Sequence, residues 1–401
     1  MAGPGLSELA RFGFVELEAT IAKLDELVSE VGDAGHSALA ELGQSANPDQ
    51  ALNALLELAS IDKATTKKLL GKTESAARLV RTVGASSAMV DLLRRRPELL
   101  AIFDAKEAKL PELSDLRKRF SSAVSNATGS VEQRWGAIRL TYRTELLRLI
   151  AHDVTQPEAT EAFSAVSKHL SDLAAEAIEA GLEVARWELT EGTEHGSFTN
   201  DEVANTKLSV IAMGKCGARE LNYISDVDVI YVADTGSNSL ERDRALEIAT
   251  RLATRMMRAM DGTASEPMLW QVDPNLRPEG KAGALVRTVE SHVIYYERWA
   301  QNWEFQALLK ARFIAGDASL AEDYLARIKP LVWSATGREG FVEAAQKMRE
   351  RVMEHIPADE VNRQIKLGPG GLRDIEFTVQ LLQLVHGRTD ESVRVADTLS
   401  A

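Results

Sequence analysis

Cysteine is nearly missing from this chain: Cys216 is the only one among 401 residues. A single thiol cannot form an intramolecular disulfide framework, and it leaves a thiolate-rich zinc site short of ligands. A reducing cytoplasm is the compartment expected for such a sequence. Long apolar runs are missing too: no stretch of about 18 apolar residues occurs. The opening residues MAGPGLSELARFGFVELE hold no basic segment followed by an apolar one, so neither a membrane span nor a secretory leader is expected. Positive charge is in deficit, with 47 Lys and Arg against 60 Asp and Glu for a net charge of −13. That balance argues against coating of nucleic acid, which needs a concentrated positive surface. Residues 1–60 hold ten acidic side chains against Arg11 and Lys23, whereas cations gather between Arg251 and Arg373. A phosphorylated substrate would be sought in that later stretch.

What is present is a globular composition, 45% hydrophobic and 27% charged, long enough to bury a large core and divide into about two or three domains. The first part of the chain reads as successive helices. ALNALLELA (51–59), SSAMVDLLRRRPELLAIF (86–103), AIRLTYRTELLRLIAHDV (137–154) and a long alanine-rich segment from Glu161 to Leu189 place apolar residues three and four apart, the period of one helix face. In the last of these the stripe is Phe163, Val166, Leu170, Leu173, Ala177, Val184 and Trp187, and plain packing accounts for it. EGTEHGSFTNDE (191–202) is polar and without period, as a linker is. The pattern then changes: LSVIAM (208–213) and VDVIYVA (227–233) are short β-branched runs that suit buried strands, and MLWQVDPNL (268–276) is a third candidate. Between them ERDRALEIATRLATRMMRAMDG (241–262) reads as a helix with Leu246, Ala249, Leu252, Ala253, Met256, Met257 and Met260 inward and Gly262 at its end. Helix returns from Val289 to Ile314, over 341–356 and over 371–387. The expected fold is mainly α with an embedded α/β unit. Its divisions are a helical region (1–195), an α/β core (196–288) and a C-terminal helical region (289–401). The closing TLSA reads as the opening of a further element, so this last region is expected to be truncated.

MGKCGARELNYISDVDVIYV (213–232) carries the sharpest chemical signal. With Val227, Val229 and Tyr231 on one face of a strand, the period of two puts Asp226 and Asp228 together on the other. Alone, alternating aspartates more often line the solvated face of a strand. Hard divalent cations, however, take oxygen ligands shared with substrate phosphates, and the surroundings favour that use. Gly214, Lys215 and Gly217 form a turn whose small residues let backbone N–H groups approach an anion, without the spacing of a P-loop or a dinucleotide fingerprint. Asp273, in the third strand candidate, would bring a third carboxylate and complete a two-metal site for in-line displacement at phosphorus. Arg277 and Lys281, in the following basic glycine-containing loop, could clamp phosphate oxygens. Pro274 removes an amide just after Asp273, which a strand tolerates only at an edge or bulge.

A glycine turn, paired aspartates and a third aspartate on an adjacent strand resemble the polymerase-beta-type nucleotidyltransferases. Four motifs in order narrow the resemblance: GKCGARELNYISDVDVIYV, VDPNLRPEGKAG, WEFQALLKARFIAGD (303–317) and IKLGPGGLRDIEFTVQLLQL (365–384) are similar to those of the glutamine synthetase adenylyltransferase/adenylyl-removing family. It runs from about Arg94 to the end. That family joins two related catalytic halves with opposed reactions, and Asn222 stands where the first, adenylyl-removing half reads E-L-N and the second reads E-L-G. The resemblance implies a nucleotidyltransferase core flanked by helical regions. Its implied activity is magnesium-dependent phosphorolysis of AMP from a tyrosine of glutamine synthetase, with phosphate consumed and ADP released. A PII-type signal protein is an implied partner. It further implies metal on Asp226, Asp228 and Asp273, phosphate positioning by the 214–219 turn including Arg219 together with Ser225, and charge compensation by Arg277 and Lys281. Transfer of AMP from ATP, or a helical docking module with a vestigial metal site, are the competing functions. Departures from the family pattern are Cys216, Ala218, Phe305 in place of arginine and Phe313 in place of proline; Phe305 bears on whether its helix meets substrate.

Other polar residues carry blander readings. Cys216 lacks a neighbouring histidine and reads as a small turn-filling residue. His152, His169, His292, His355 and His386 share no metal spacing. Lys366, Gly368, Gly370, Gly371 and Arg373 form a glycine turn before a helix that could bind an anion or dock the C-terminal helices. Glu304, Lys310 and Arg312 read as a charged cleft wall.

Overall fold

The structure is a computed structural model that describes residues 4–104, 109–192, 197–237, 239–337, 347, 349–350, 356–357 and 359–401. The helix expected over 341–356, with His355, lies largely outside the described residues. The chain forms two compact units, one of residues 1–116 and 140–166, the other of residues 117–139 and 167–401.

The first unit is helical. Helices Pro48–Ile61, Thr73–Ala85 and Ser87–Arg95 contribute Leu52, Leu55, Leu58, Leu79, Val80, Val83, Leu92 and Leu93 to one core, none more than 1% exposed. Each such side chain contributes roughly 1.5–3 kcal/mol on burial. Local chemistry sets the helix starts: the side chains of Asn47, Asp62 and Ser86 accept from the amides of Gln50, Thr65 and Met89, and Pro48 supplies a preset φ in the first turn. The Glu161–Leu189 segment folds as one helix, Ala159–Thr190, whose residues up to Val166 belong to this unit. Phe163, expected in the stripe, is exposed.

The second unit is built on a sheet of five strands: β1 (Thr206–Ala212), β2 (Val227–Thr235), β3 (Val272–Asp273), β4 (Val286–Arg287) and β5 (Arg312–Gly316). Its order is β3-β2-β1-β5, with β4 also paired to β2. β1 runs antiparallel to β2 and β5, whereas β3 and β4 lie parallel to β2. β1 and β2 are apolar on both faces because both faces are covered. Ile211, Ile230 and Val232 join Leu320, Tyr324 and Ile328 of helix Ala318–Ser334 in one core, and helix Arg242–Asp261 packs on the same two strands. In that helix Ala245, Ile248 and Ala259 are buried with Ala249, Leu252, Ala253, Met256 and Met260, while Leu246 and Met257 are only half-buried. The Ala159–Thr190 helix packs close at Gly181: a Cβ there would lie 2.9 Å from the Met260 methyl. Arg139, fully buried, donates to the carbonyls of Ala259, Gly262 and Glu266. It neutralises the negative end of helix Arg242–Asp261.

Three local readings change. The strand expected over 268–276 shortens to Val272–Asp273, since Pro274 ends the pairing at the sheet edge. The helix expected to run from Val289 to Ile314 divides into Val289–Arg298, Asn302–Leu308 and strand β5. Arg312–Gly316 pairs with β1 instead of prolonging a helix, because its apolar residues cover that open strand edge. The polar stretch expected as a linker runs at its end into a short helix, Asn200–Ala204, started by a capping box between Thr199 and Glu202.

Candidate functional site

Parallel pairing of β2 with β3 sets Asp228 directly opposite Asp273, and Asp226 sits two residues before Asp228 at the mouth of the same strand. Carboxylate oxygens of all three lie within 4.8 Å of one another, the convergence expected from the period of two. Burial pushes the Asp228 carboxyl up to about 6; the negative charges of Asp226 and Asp273 add to the shift, while Arg373 and Lys366 oppose it. An all-oxygen donor set with uncompensated negative charge fits a hard divalent cation such as magnesium.

The turn after β1 is shaped around these carboxylates. Gly214 has φ 51°, and a Cβ there would lie 2.6 Å from Asp228 Oδ2. Only glycine lets the backbone pass so close to the acid. The Met213 amide donates to the Asp228 carbonyl at 2.9 Å, which ties turn and strand together. Gly217 is needed for a different contact: its Cβ would fall 2.0 Å from the Lys310 carbonyl. Arg312 on β5 fastens the turn from below, donating to the Gly217 and Cys216 carbonyls at 3.1 and 2.8 Å. Arg219, itself at φ 60°, pairs with Asp172 at 3.2 Å. Gly217 and Arg219 thus hold the turn in place.

Beside the carboxylates opens a cavity of about 430 Å³. Lys215 and Ser225 line it together with Asp226 and Asp228, whereas Arg277 and Lys281 do not. Arg277 is committed elsewhere, donating to the carbonyls of Pro274, Gly283 and Lys281 at 2.8, 3.2 and 3.4 Å. It closes the loop that follows Asp273. Among the described residues, Lys310, Lys366 and Arg373 also face the cavity. Lys310 is buried and donates to Glu220 at 3.0 Å and to Thr398 at 3.1 Å, so its charge is matched. Trp303, Gln306, Phe377 and Gln380 supply aromatic faces and amides on the remaining wall, a composition suited to a nucleoside. These residues lie within the WEFQALLKARFIAGD and IKLGPGGLRDIEFTVQLLQL motifs, but neither motif by itself marks them as cavity residues; the packing of helices Asn302–Leu308 and Leu372–His386 brings them to the carboxylates. Phe305 points away into the core, so its helix still presents Trp303 and Gln306 to the cavity. Glu304 caps that helix by accepting from the Gln301 amide, and does not form part of a cleft wall.

A family model described as glutamate-ammonia ligase adenylyltransferase matches residues 76–327, and one described as GlnD PII-uridylyltransferase matches residues 343–401. The three carboxylates lie in the first segment, Lys366 and Arg373 in the second. Proteins named bifunctional glutamine synthetase adenylyltransferase/adenylyl-removing enzyme from Leifsonia xyli subsp. xyli, Streptomyces avermitilis and Mycobacterium avium are 47%, 42% and 43% identical over 99%, 100% and 99% of this chain. The chain spans 40%, 39% and 38% of their respective lengths. Among the described residues no helix is long and apolar enough to cross a membrane.

Proposed function

Taking as premise that the chain belongs to the glutamate-ammonia ligase adenylyltransferase family, we propose that it removes AMP from the adenylylated tyrosine of glutamine synthetase by phosphorolysis. The observation that carries this reading is the convergence of Asp226, Asp228 and Asp273 within 4.8 Å, with Asp226 and Asp228 on the wall of the cavity, and with Asn222 in the position that distinguishes the adenylyl-removing half. Glutamine synthetase is the protein substrate, phosphate the second substrate and ADP the product. A PII-type signal protein is a further proposed partner, supported by the match of residues 343–401. We assign the reaction to the α/β core of residues 196–288 with its helical flanks, and to the cytoplasm, where the lone buried thiol Cys216 stays reduced.

Asp226, Asp228 and Asp273 would hold magnesium, which when bound supplies charge neutralisation for the two anionic reactants. Lys215 and Ser225 orient phosphate oxygens from the turn side of the cavity. An oxygen of the entering phosphate forms a bond to the AMP phosphorus, the bond from that phosphorus to the tyrosine oxygen breaks, and the phosphate's proton passes to the tyrosine oxygen. The products are ADP and unmodified tyrosine. Little covalent work falls to the protein, so positioning and charge dominate.

The test incubates the purified chain with adenylylated glutamine synthetase, phosphate and magnesium, and follows ADP. ADP release that is abolished in Asp226→Asn/Asp228→Asn supports the reading. AMP incorporation from ATP into unmodified glutamine synthetase, without ADP release, assigns the opposite direction. Equal behaviour of wild type and double variant leaves a docking module.

A further inference from the structure

The turn Ile365–Arg373 ends in helix Leu372–His386, and its construction decides which of its groups can meet an anion. The helix's first amides are already used: Leu372 N donates to Ile365 O, Arg373 N to Lys366 O and Ile375 N to Gly371 O, at 2.9, 2.9 and 3.3 Å. A helix start satisfied in this way offers few free N–H groups. What remains for a ligand is side-chain charge. The same hydrogen bonds fold the turn back on itself and place Lys366 beside Arg373. Glycine makes that closure possible, since a Cβ on Gly371 would lie 2.5 Å from the Ile365 carbonyl and one on Gly368 would lie 2.6 Å from the Gln364 carbonyl. Asp374 stiffens the turn further by accepting from the Gly370 amide at 2.7 Å and pairing with Arg349.

Both cations open on the cavity that holds Asp226 and Asp228. Their charge is also less matched than that of its neighbours. Lys310 is paired with Glu220 at 3.0 Å, whereas the nearest carboxylate to Arg373, that of Glu376, stands 3.8 Å from Nε, beyond hydrogen-bond length. The Nε of Arg373 is buried without a hydrogen-bond partner. Two cations on the wall of the cavity that also bears Asp226 and Asp228, close enough to act on the Asp228 carboxyl, make a site for a doubly charged oxyanion next to the carboxylates that would hold metal.

We propose that Lys366 and Arg373 form the clamp for the phosphate that attacks, the group that becomes the β-phosphate of ADP, so that the C-terminal glycine turn supplies half of the active site. The inference rests on the phosphorolysis reading. It assigns to these two residues the compensation of charge that the sequence pattern suggested for Arg277 and Lys281. In the step already written, the clamped phosphate gives its oxygen to the AMP phosphorus and its proton to the tyrosine, and the two cations remain on the three oxygens that do not react.

The experiment measures magnesium-supported binding of ADP and of AMP by titration calorimetry to wild type, Lys366→Ala, Arg373→Ala, Arg373→Lys and Lys281→Ala, with circular dichroism to establish folding. Each alanine variant of the clamp is expected to weaken ADP about ten- to hundredfold, the scale of a lost charge-assisted hydrogen bond, and to change AMP binding much less. Arg373→Lys keeps the charge and recovers part of the ADP affinity, a rescue that a purely structural role would not give. ADP affinity at the wild-type level in both alanine variants, or no preference for ADP over AMP in wild type, overturns the clamp. Clamp-dependent ADP binding without phosphorolysis of adenylylated glutamine synthetase upholds the clamp and overturns only the assigned reaction.

Discussion

The Asp228 carboxylate rests against Gly214 so closely that a Cβ would lie 2.6 Å from Oδ2. Gly214 also holds φ at 51°, a left-handed conformation that costs an ordinary residue about 1–2 kcal/mol. Gly214→Ala is therefore expected to lower stability by about that amount. It should also push the Asp228 side chain off its meeting point with Asp226 and Asp273. Urea denaturation reads the first effect and a magnesium titration the second. Unchanged magnesium affinity in a folded Gly214→Ala protein would contradict the packing of turn against acid.

The three carboxylates make metal-free stability depend on pH in an unusual direction. Because the Asp228 carboxyl is pushed up to about 6 from its ordinary 3.8, the native state holds its proton where the unfolded chain has released it. Stability from this group is thus fully present below pH 3.8 and lost as pH rises toward and past 6, by roughly 3 kcal/mol at neutral pH. Magnesium should offset the loss, so thermal melts are expected to show a larger rise with magnesium at pH 8 than at pH 5. Asp228→Asn, which has no charge to bury, should melt higher than wild type at pH 8 without metal and respond weakly to it. A magnesium response that is the same at both pH values would count against this account.

The carboxylates, Gly214 and the strand period were legible because each depends on neighbours within a few residues. Asp226 and Asp228 needed only the alternation of a strand, and Gly214 the position of a turn between β1 and its successor. Asp273 was legible as the next acid in a strand candidate, although its strand is two residues long. The glycine turn holding Lys366 and Arg373 was legible as a possible anion site, whereas its meeting with the carboxylates across the cavity depends on tertiary contacts. Arg277 looked like a free cation, yet three backbone carbonyls claim its guanidinium, a competition invisible without the loop's shape. Arg312 looked like a cleft residue and instead holds the Cys216 and Gly217 carbonyls. Arg139 sits in an ordinary helical period, and only the fold reveals that it closes the end of a distant helix. Strand β5 was hidden because a run as short as RFIAG fits either period.

His292 sets a second dependence on pH, opposite in sign. It is 1% exposed, its Nδ1 lies 3.0 Å from the Thr288 carbonyl and its ring meets Tyr324 edge-on at 5.2 Å. Burial pushes its pKa down from 6.5 to about 4. The folded protein keeps the ring neutral while the unfolded chain takes up a proton, so stability present above pH 6.5 is lost as pH falls toward 4, by roughly 3 kcal/mol. Urea midpoints measured between pH 4 and 7 in Asp228→Asn remove the opposing Asp228 contribution and leave that of His292 together with other carboxylates. Adding His292→Gln should flatten the slope; an equally steep slope in the double variant would assign the acid sensitivity to other groups.

Cys216 gives the sharpest test of the turn itself. Its thiol is 1% exposed, packed where β1 leads into the turn, and burial pushes its pKa up to about 11 despite the nearby Arg312 charge. A thiolate is the reactive form, so the native protein at pH 8 is expected to resist Ellman's reagent and to react with one equivalent once unfolded in guanidinium. Magnesium should not change that, because the thiol faces the core and not the cavity. Cys216→Ala should retain ADP release while losing stability on the order of 1 kcal/mol through a small cavity. Rapid labelling of the folded protein would mean that the turn opens readily, and the fixed approach of Gly214 to Asp228 would then have to be abandoned along with it.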